Sequence, residues 1–101
     1  MPAKYLAQLA SSEVPESSLL LVPLGSCEQH GPHLPLDTDL RIASWLCQQL
    51  AQSIPSVVIA PPIGIAASGE HQGFSGTLSI GTAVLEMVLT ELVRSALPAS
   101  G

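Results

Sequence analysis

Leu19-Leu20-Leu21-Val22-Pro23-Leu24-Gly25-Ser26-Cys27-Glu28-Gln29-His30-Gly31-Pro32-His33-Leu34-Pro35-Leu36-Asp37-Thr38-Asp39 is the stretch that decides the fold. Its first four residues are a continuous apolar run, ended by Pro23 and Gly25. So short a run between chain breakers reads as a buried strand rather than a helix, placed here at Ser18 to Val22. From Gly25 to Asp37 no period is visible. Pro32 and Pro35 restrict the backbone and Gly25 and Gly31 permit tight turns, so this segment is a structured loop. Asp37 or Thr38 is a candidate N-cap for a helix running to about Ser53. Within it Ile42, Leu46 and Leu50 form an apolar stripe, and Arg41, Ser44, Gln48 and Gln52 form a polar one.

Working outward, Val57 to Ala60 is a second β-branched apolar run, stopped by Pro61-Pro62. Both runs are hydrophobic nearly throughout, as in a parallel sheet covered on both faces. Residues 63–80 form another loop region, rich in Gly and Ser, with a short extended piece at Thr77 to Ile80. Thr82 to Leu97 reads as a final helix. Leu85, Val88, Leu89, Leu92 and Ala96 make its apolar face, Glu86, Thr90 and Arg94 lie opposite, and Pro98 closes it. Upstream, Lys4 to Ser11 is a candidate short helix and Glu13 to Ser17 a polar connector.

The order strand, loop, helix, strand, loop, helix is the opening of an α/β doubly wound, mainly parallel sheet with flanking helices. Both loops follow the C-terminal ends of strands, where ligands sit in open α/β sheets. Two strands are only part of such a sheet, and a further strand is expected at about residue 101. Residues 1–101 are therefore expected to be the N-terminal part of a single domain that lacks its C-terminal half.

Composition agrees. The 101 residues are 47% hydrophobic and only 11% charged, with a formal net charge of -5. Ordinary globular chains are about 25% charged, so this one is poorly equipped to coat its own surface. The apolar fraction is too high for intrinsic disorder. Three scattered basic residues, Lys4, Arg41 and Arg94, offer no basic stripe for nucleic acid and little for an anionic membrane. The apolar stretch Val57 to Ala67 is broken by Pro61, Pro62 and Gly64, and falls short of the about 20 residues a membrane span needs. The N-terminus has no apolar run of signal-peptide length, so a cytoplasmic location is expected. Cys27 and Cys47 match no zinc or C-x-x-C spacing and read as reduced thiols.

The polar chemistry is concentrated in the opening stretch. In an extended segment residues i and i+2 point the same way, so Glu28 and His30 can aim at one point. Asp39 sits in or just before the first helical turn, from which its carboxylate can turn back toward the loop. Two carboxylates and an imidazole suit a divalent metal such as zinc, manganese or iron. They also suit a two-metal site, in which a carboxylate bridges ions about 3.5–4 Å apart that activate a shared water. His33 reads as bracing the loop or supporting the ligands, and Asp37 as a helix cap. In the second cluster, Ser68 to Thr77, Glu70 and His71 are adjacent. On a strand they would face opposite ways, which disfavours joint ligation and leaves them a supporting or substrate-loop role. Phe74 reads as a packing anchor. A nucleophilic Ser26 or Cys27 is the rival enzymatic reading, but no G-x-S-x-G elbow is present.

Gly25-Ser26-x-Glu28-Gln29-His30-Gly31-Pro32-His33-Leu34-Pro35-Leu36-x-Thr38-Asp39 resembles the signature of the creatininase (creatinine amidohydrolase) family, and Ser68-x-Glu70-His71-x-x-Phe74-x-Gly76-Thr77 resembles its second motif. The segments Ala67 to Gln72 and Thr77 to Thr82, with Arg94-Ser95-Ala96, are similar to a branch that trims a modified precursor peptide. The resemblance implies an α/β fold, a homo-oligomer, a small-molecule or peptide substrate and two divalent metal ions per site. It implies hydrolysis of a C–N amide bond by metal-activated water, with no side chain assigned as the catalytic group. By position Glu28 matches a ligand of one metal, His30 a ligand of the other, and Asp39 the bridging carboxylate. The family continues into a His-Gly-Gly-Asn type motif and a further acidic ligand, and neither is in this sequence. Three ligands serving two metals imply weak affinity. The chain thus looks like a truncated enzyme, and the alternative is a non-catalytic remnant with at most weak metal or partner binding.

Overall fold

A computed structural model describes residues 2–97. Strand β1 spans Leu19–Leu21, helix α1 Thr38–Ser53, strand β2 Val57–Ile59 and helix α2 Gly81–Ala96. The two strands pair in parallel, with Leu19 opposite Val57, Leu20 opposite Val58 and Leu21 opposite Ile59. The connection from β1 through α1 to β2 is therefore a βαβ crossover, as the alternating order predicts. Hydrogen bonding runs on past both strands: Gly25 N–H donates to Ile63 O at 3.0 Å and Ile63 N–H to Pro23 O at 2.9 Å. The two loops thus leave the sheet side by side, at the C-terminal ends of the strands.

The N-terminal segment departs from the expected helix. Tyr5 is extended and bridges Ile59 in parallel, and Ile59 N–H donates to Lys4 O at 2.8 Å. Only two short 3-10 turns follow, Leu6–Gln8 and Ser11–Glu13. The reason is the free edge of β2, whose buried N–H needs an acceptor that only an extended neighbour supplies. β2 therefore lies between β1 and the Lys4-Tyr5 segment, and all three of its residues are buried. β1 is half-exposed by comparison.

The core is small. Ala51, Val57 and Ile59 form its buried centre, with Ala3, Tyr5, Leu21 and Cys47 packed against them. Helix α1 therefore docks through the small side chains of Cys47 and Ala51. The stripe Ile42, Leu46 and Leu50 stays 55%, 50% and 46% exposed. Small residues let the helix axis approach the sheet closely, and the larger stripe is left on another side. Burial raises the pKa of the Cys47 thiol above its ordinary value. Both cysteines are free thiols. The opposite face of the sheet, carrying Leu20 and Val58, fronts a groove bounded by Leu6, Val14 and the α2 end at Ala96 and Leu97. No residue of α2 is buried. Pro98 and the strand expected near residue 101 lie outside the described residues.

Gly25 carries the joint between β1 and α1. A Cβ added there would collide with the backbone of Asp39 and Leu40. The missing side chain is what lets the first turn of α1 rest against the strand end. That contact sets where Asp39 stands relative to the loop.

Candidate metal centre

Three hydrogen bonds hold the loops in place. Glu28 N–H donates to Leu36 O at 3.1 Å and closes the first loop on itself. Leu78 N–H donates to Cys27 O at 2.9 Å, an antiparallel bridge that draws in the second loop. Gln29 N–H donates to Thr77 Oγ1 at 3.2 Å. The piece expected to be extended at Thr77 to Ile80 thus contributes a single bridging residue, Leu78. Gly31, at φ 73°, opens the turn that returns Leu34 to pair with His30.

These constraints bring Glu28, His30 and Asp39 together, with one ligand atom from each within 4.8 Å of the others. Glu28 and His30 converge as the i, i+2 spacing predicts, on a segment held between the Cys27–Leu78 and His30–Leu34 bridges. Asp39, in the first turn of α1, comes back toward the loop, and its Oδ1 lies 3.5 Å from His30 Nε2. A second group, Glu28, Glu70 and His71, meets the same 4.8 Å limit. Here the geometry differs from the strand assumed for Glu70 and His71. Gly69–His71 is a 3-10 turn, which rotates successive side chains by about 120° rather than 180°. Adjacent residues can then reach one point. His71 Nε2 lies 2.8 Å from Glu28 Oε2 and 3.7 Å from Glu70 Oε1. Glu28 is the residue common to both groups.

The remaining candidates lie apart. His33 sits on the exposed turn at residues 31–33 and belongs to neither group. Asp37 occupies the N-cap position without capping: its Oδ1 accepts from Arg41 Nε at 2.7 Å instead. Phe74 is half-exposed, its ring tilted against the His71 imidazole at 6.4 Å, so it walls that histidine rather than anchoring a core. Two contributors escaped the sequence reading. Gln29 hydrogen-bonds the His71 ring, and Ser68 is buried with its Oγ unpartnered. Gln29 alternates with Glu28 and His30, and reading the segment as extended placed it nominally on the other side. Ser68 carries no signal beyond its position in the second motif.

The residues fit a divalent cation. Glu28 Oε2 and His30 Nε2 are buried, and each lacks an aligned hydrogen-bond partner. Buried polar atoms ordinarily have one. Among the described residues no Lys or Arg pairs with this cluster either. Arg41 pairs with Asp37 and Arg94 with Glu91, while Lys4 Nζ lies 3.5 Å from Pro55 O. Two carboxylates and an unpaired imidazole nitrogen converge with no basic side chain among them. Such a set is costly without a cation and well matched to one.

Known proteins share both the sequence and the fold of this chain. A relative from Mycolicibacterium smegmatis, named mycofactocin precursor peptide peptidase, is 54% identical over 83 residues, covering 77% of this chain and 34% of that protein. A solved structure described as creatininase Mn superposes with a TM-score of 0.82 at 23% identity, over 92% of this chain and 40% of that one. A creatininase variant of Zn-Zn type gives 0.81 at 24% identity, over 94% and 40%. The chain thus spans well under half the length of each of these proteins. The family model for creatinine amidohydrolase matches residues 6–100, and the chain accordingly belongs to the creatininase family.

Proposed function

We propose that this chain carries the N-terminal, ligand-bearing part of a metal-dependent amidohydrolase that cleaves a C–N amide bond, with the mycofactocin precursor peptide as substrate. The convergence of Glu28, His30 and Asp39, with buried Oε2 and Nε2 atoms left without aligned partners, is the observation that carries it. The peptide substrate is supported by the name and 54% identity of the mycobacterial relative. Glu28, His30 and Asp39 would hold the metal, which when bound supplies a Lewis acid and an activated water. Zinc, manganese and iron all suit this mixed carboxylate and imidazole set, and the manganese and zinc forms of related creatininases favour the first two. The protein groups do the rest. Glu28 is fixed within the first loop by its N–H bond to Leu36 O, and Asp39 rides on the first turn of α1, so both carboxylates are held in place. The second loop, with Glu70 and Phe74 exposed beside the centre, is placed to meet a substrate.

On this reading residues 1–101 are the N-terminal part of one domain, and the remaining ligands come from chain that follows this part in the longer relatives. The working form is a cytoplasmic homo-oligomer. No helix among the described residues is long and apolar enough to cross a membrane.

Calorimetric titration of zinc or manganese into the chain and into Glu28→Ala and Asp39→Ala tests the assignment. Binding by the parent and its loss in both variants is expected. Equal binding by all three would sink the ligand set, and no binding by any would favour a non-catalytic remnant. Cleavage of the precursor peptide by a full-length relative, abolished by the matching substitutions, tests the substrate.

A further inference from the structure

His71 lies as near Glu28 as a third ligand would, yet its hydrogen bonds give it another role. Gly31 N–H donates to Gln29 Oε1 at 2.8 Å. A backbone N–H can only donate, so the atom facing it is the amide oxygen. The other end of the Gln29 amide is then its NH2 group, which lies 3.1 Å from His71 Nδ1. An amide NH2 also only donates, so Nδ1 must accept and carries no proton. In the neutral ring the proton is on Nε2, the atom 2.8 Å from Glu28 Oε2. A nitrogen that holds a proton has no lone pair for a metal. Ligation through Nε2 would move the proton to Nδ1, against the Gln29 NH2, and turning that amide over would set its NH2 against the Gly31 N–H.

We infer that His71 is a positioning residue for Glu28, locked by Gln29, and is not itself a metal ligand. The inference rests on the metal-site reading for its purpose, though the proton's location does not depend on it. His30 is the contrast: its buried Nε2 has no hydrogen-bond partner and is free to ligate. His71 presents an N–H to the side of the carboxylate. The contact is short but off the line of a full hydrogen bond, so Oε2 keeps a lone pair for the cation while its swing is restricted. The exposed Glu70 carboxylate, farther from Nε2 at 3.7 Å, is a weaker competitor for that proton.

Nitrogen NMR of the chain labelled at its histidine rings and glutamine amides tests this. There are three histidines, so His30→Asn and His33→Asn complete the assignment. A coupling between the Gln29 side-chain nitrogen and His71 Nδ1, with the proton on Nε2, is expected without metal. A proton on Nδ1, or no coupling, overturns the inference. On adding zinc, His30 Nε2 should shift as it binds, while His71 keeps its Nε2 proton; loss of that proton also overturns it. Zinc affinity gives a second readout: His71→Ala should weaken binding about 10–100-fold and His71→Gln, which still donates, by less than about threefold. Equal loss in both variants would make His71 a ligand. If zinc fails to bind while the coupling is present, the metal-site reading falls and the Gln29–His71 lock stands.

Discussion

Glu28 is the residue on which the centre turns. It is buried, it belongs to both groups of converging ligand atoms, and no Lys or Arg balances it. Glu28→Gln keeps the shape and removes the charge, so it should lower metal affinity by more than the about 10–100-fold typical of supporting residues, as read by calorimetry. His33→Ala should leave affinity unchanged, because that side chain is exposed on the turn. The contrast checks which of two histidines in one motif matters. At this scale the sequence was partly legible. The i, i+2 spacing of Glu28 and His30 in an extended segment announced their convergence. The approach of His71 was hidden, because a 3-10 turn leaves no hydrophobic period to read and the strand assumption turned its side chain away. Asp37 was misleading for a related reason. Arg41, one helical turn on, competes for the same carboxylate, and the exposed pair it forms is worth at most about 1 kcal/mol.

Among the elements, the βαβ crossover was readable from two apolar runs bounded by prolines and a helix between them. Which side of α1 faces the sheet was not. The helix is apolar on more than one side, and hydrophobicity alone favours Ile42, Leu46 and Leu50 over Cys47 and Ala51. Packing favours the small pair because β2 lies close beneath the helix. Ala51→Leu should therefore destabilise the chain by about 1–3 kcal/mol through overpacking, while Leu46→Ala should stay within about 0.5 kcal/mol, as exposed substitutions do. Urea denaturation of both variants checks the ranking. Gly25→Ala belongs here too. Its Cβ would meet backbone rather than a side chain that can swing away, so about 1–3 kcal/mol is expected. Because Asp39 rides on the displaced turn, metal affinity should fall with stability in that variant. Ala51→Leu should leave affinity intact.

For the whole molecule, the low charge read from composition has a structural counterpart. The Cα radius of gyration is 15.4 Å, against about 13 Å for a closed domain of 100 residues. Val84, Met87, Leu92 and Val93 are exposed along α2, and Leu19 and Leu20 along β1. A surface so apolar favours association. The isolated chain should self-associate and bind a hydrophobic dye, and sedimentation of a monodisperse monomer with a sharp melt would contradict this. Glu28, His30 and Asp39 come from one short segment, whereas 42 positions separate Gln29 from His71. Closing the longer loop costs about 1 kcal/mol more chain entropy than closing the shorter one. The centre therefore has an order of assembly in time. On the proposed reading, the first loop would gather Glu28, His30 and Asp39 around a passing ion while the second is still unfastened, and the later arrival of His71 would act as a latch on a site already formed.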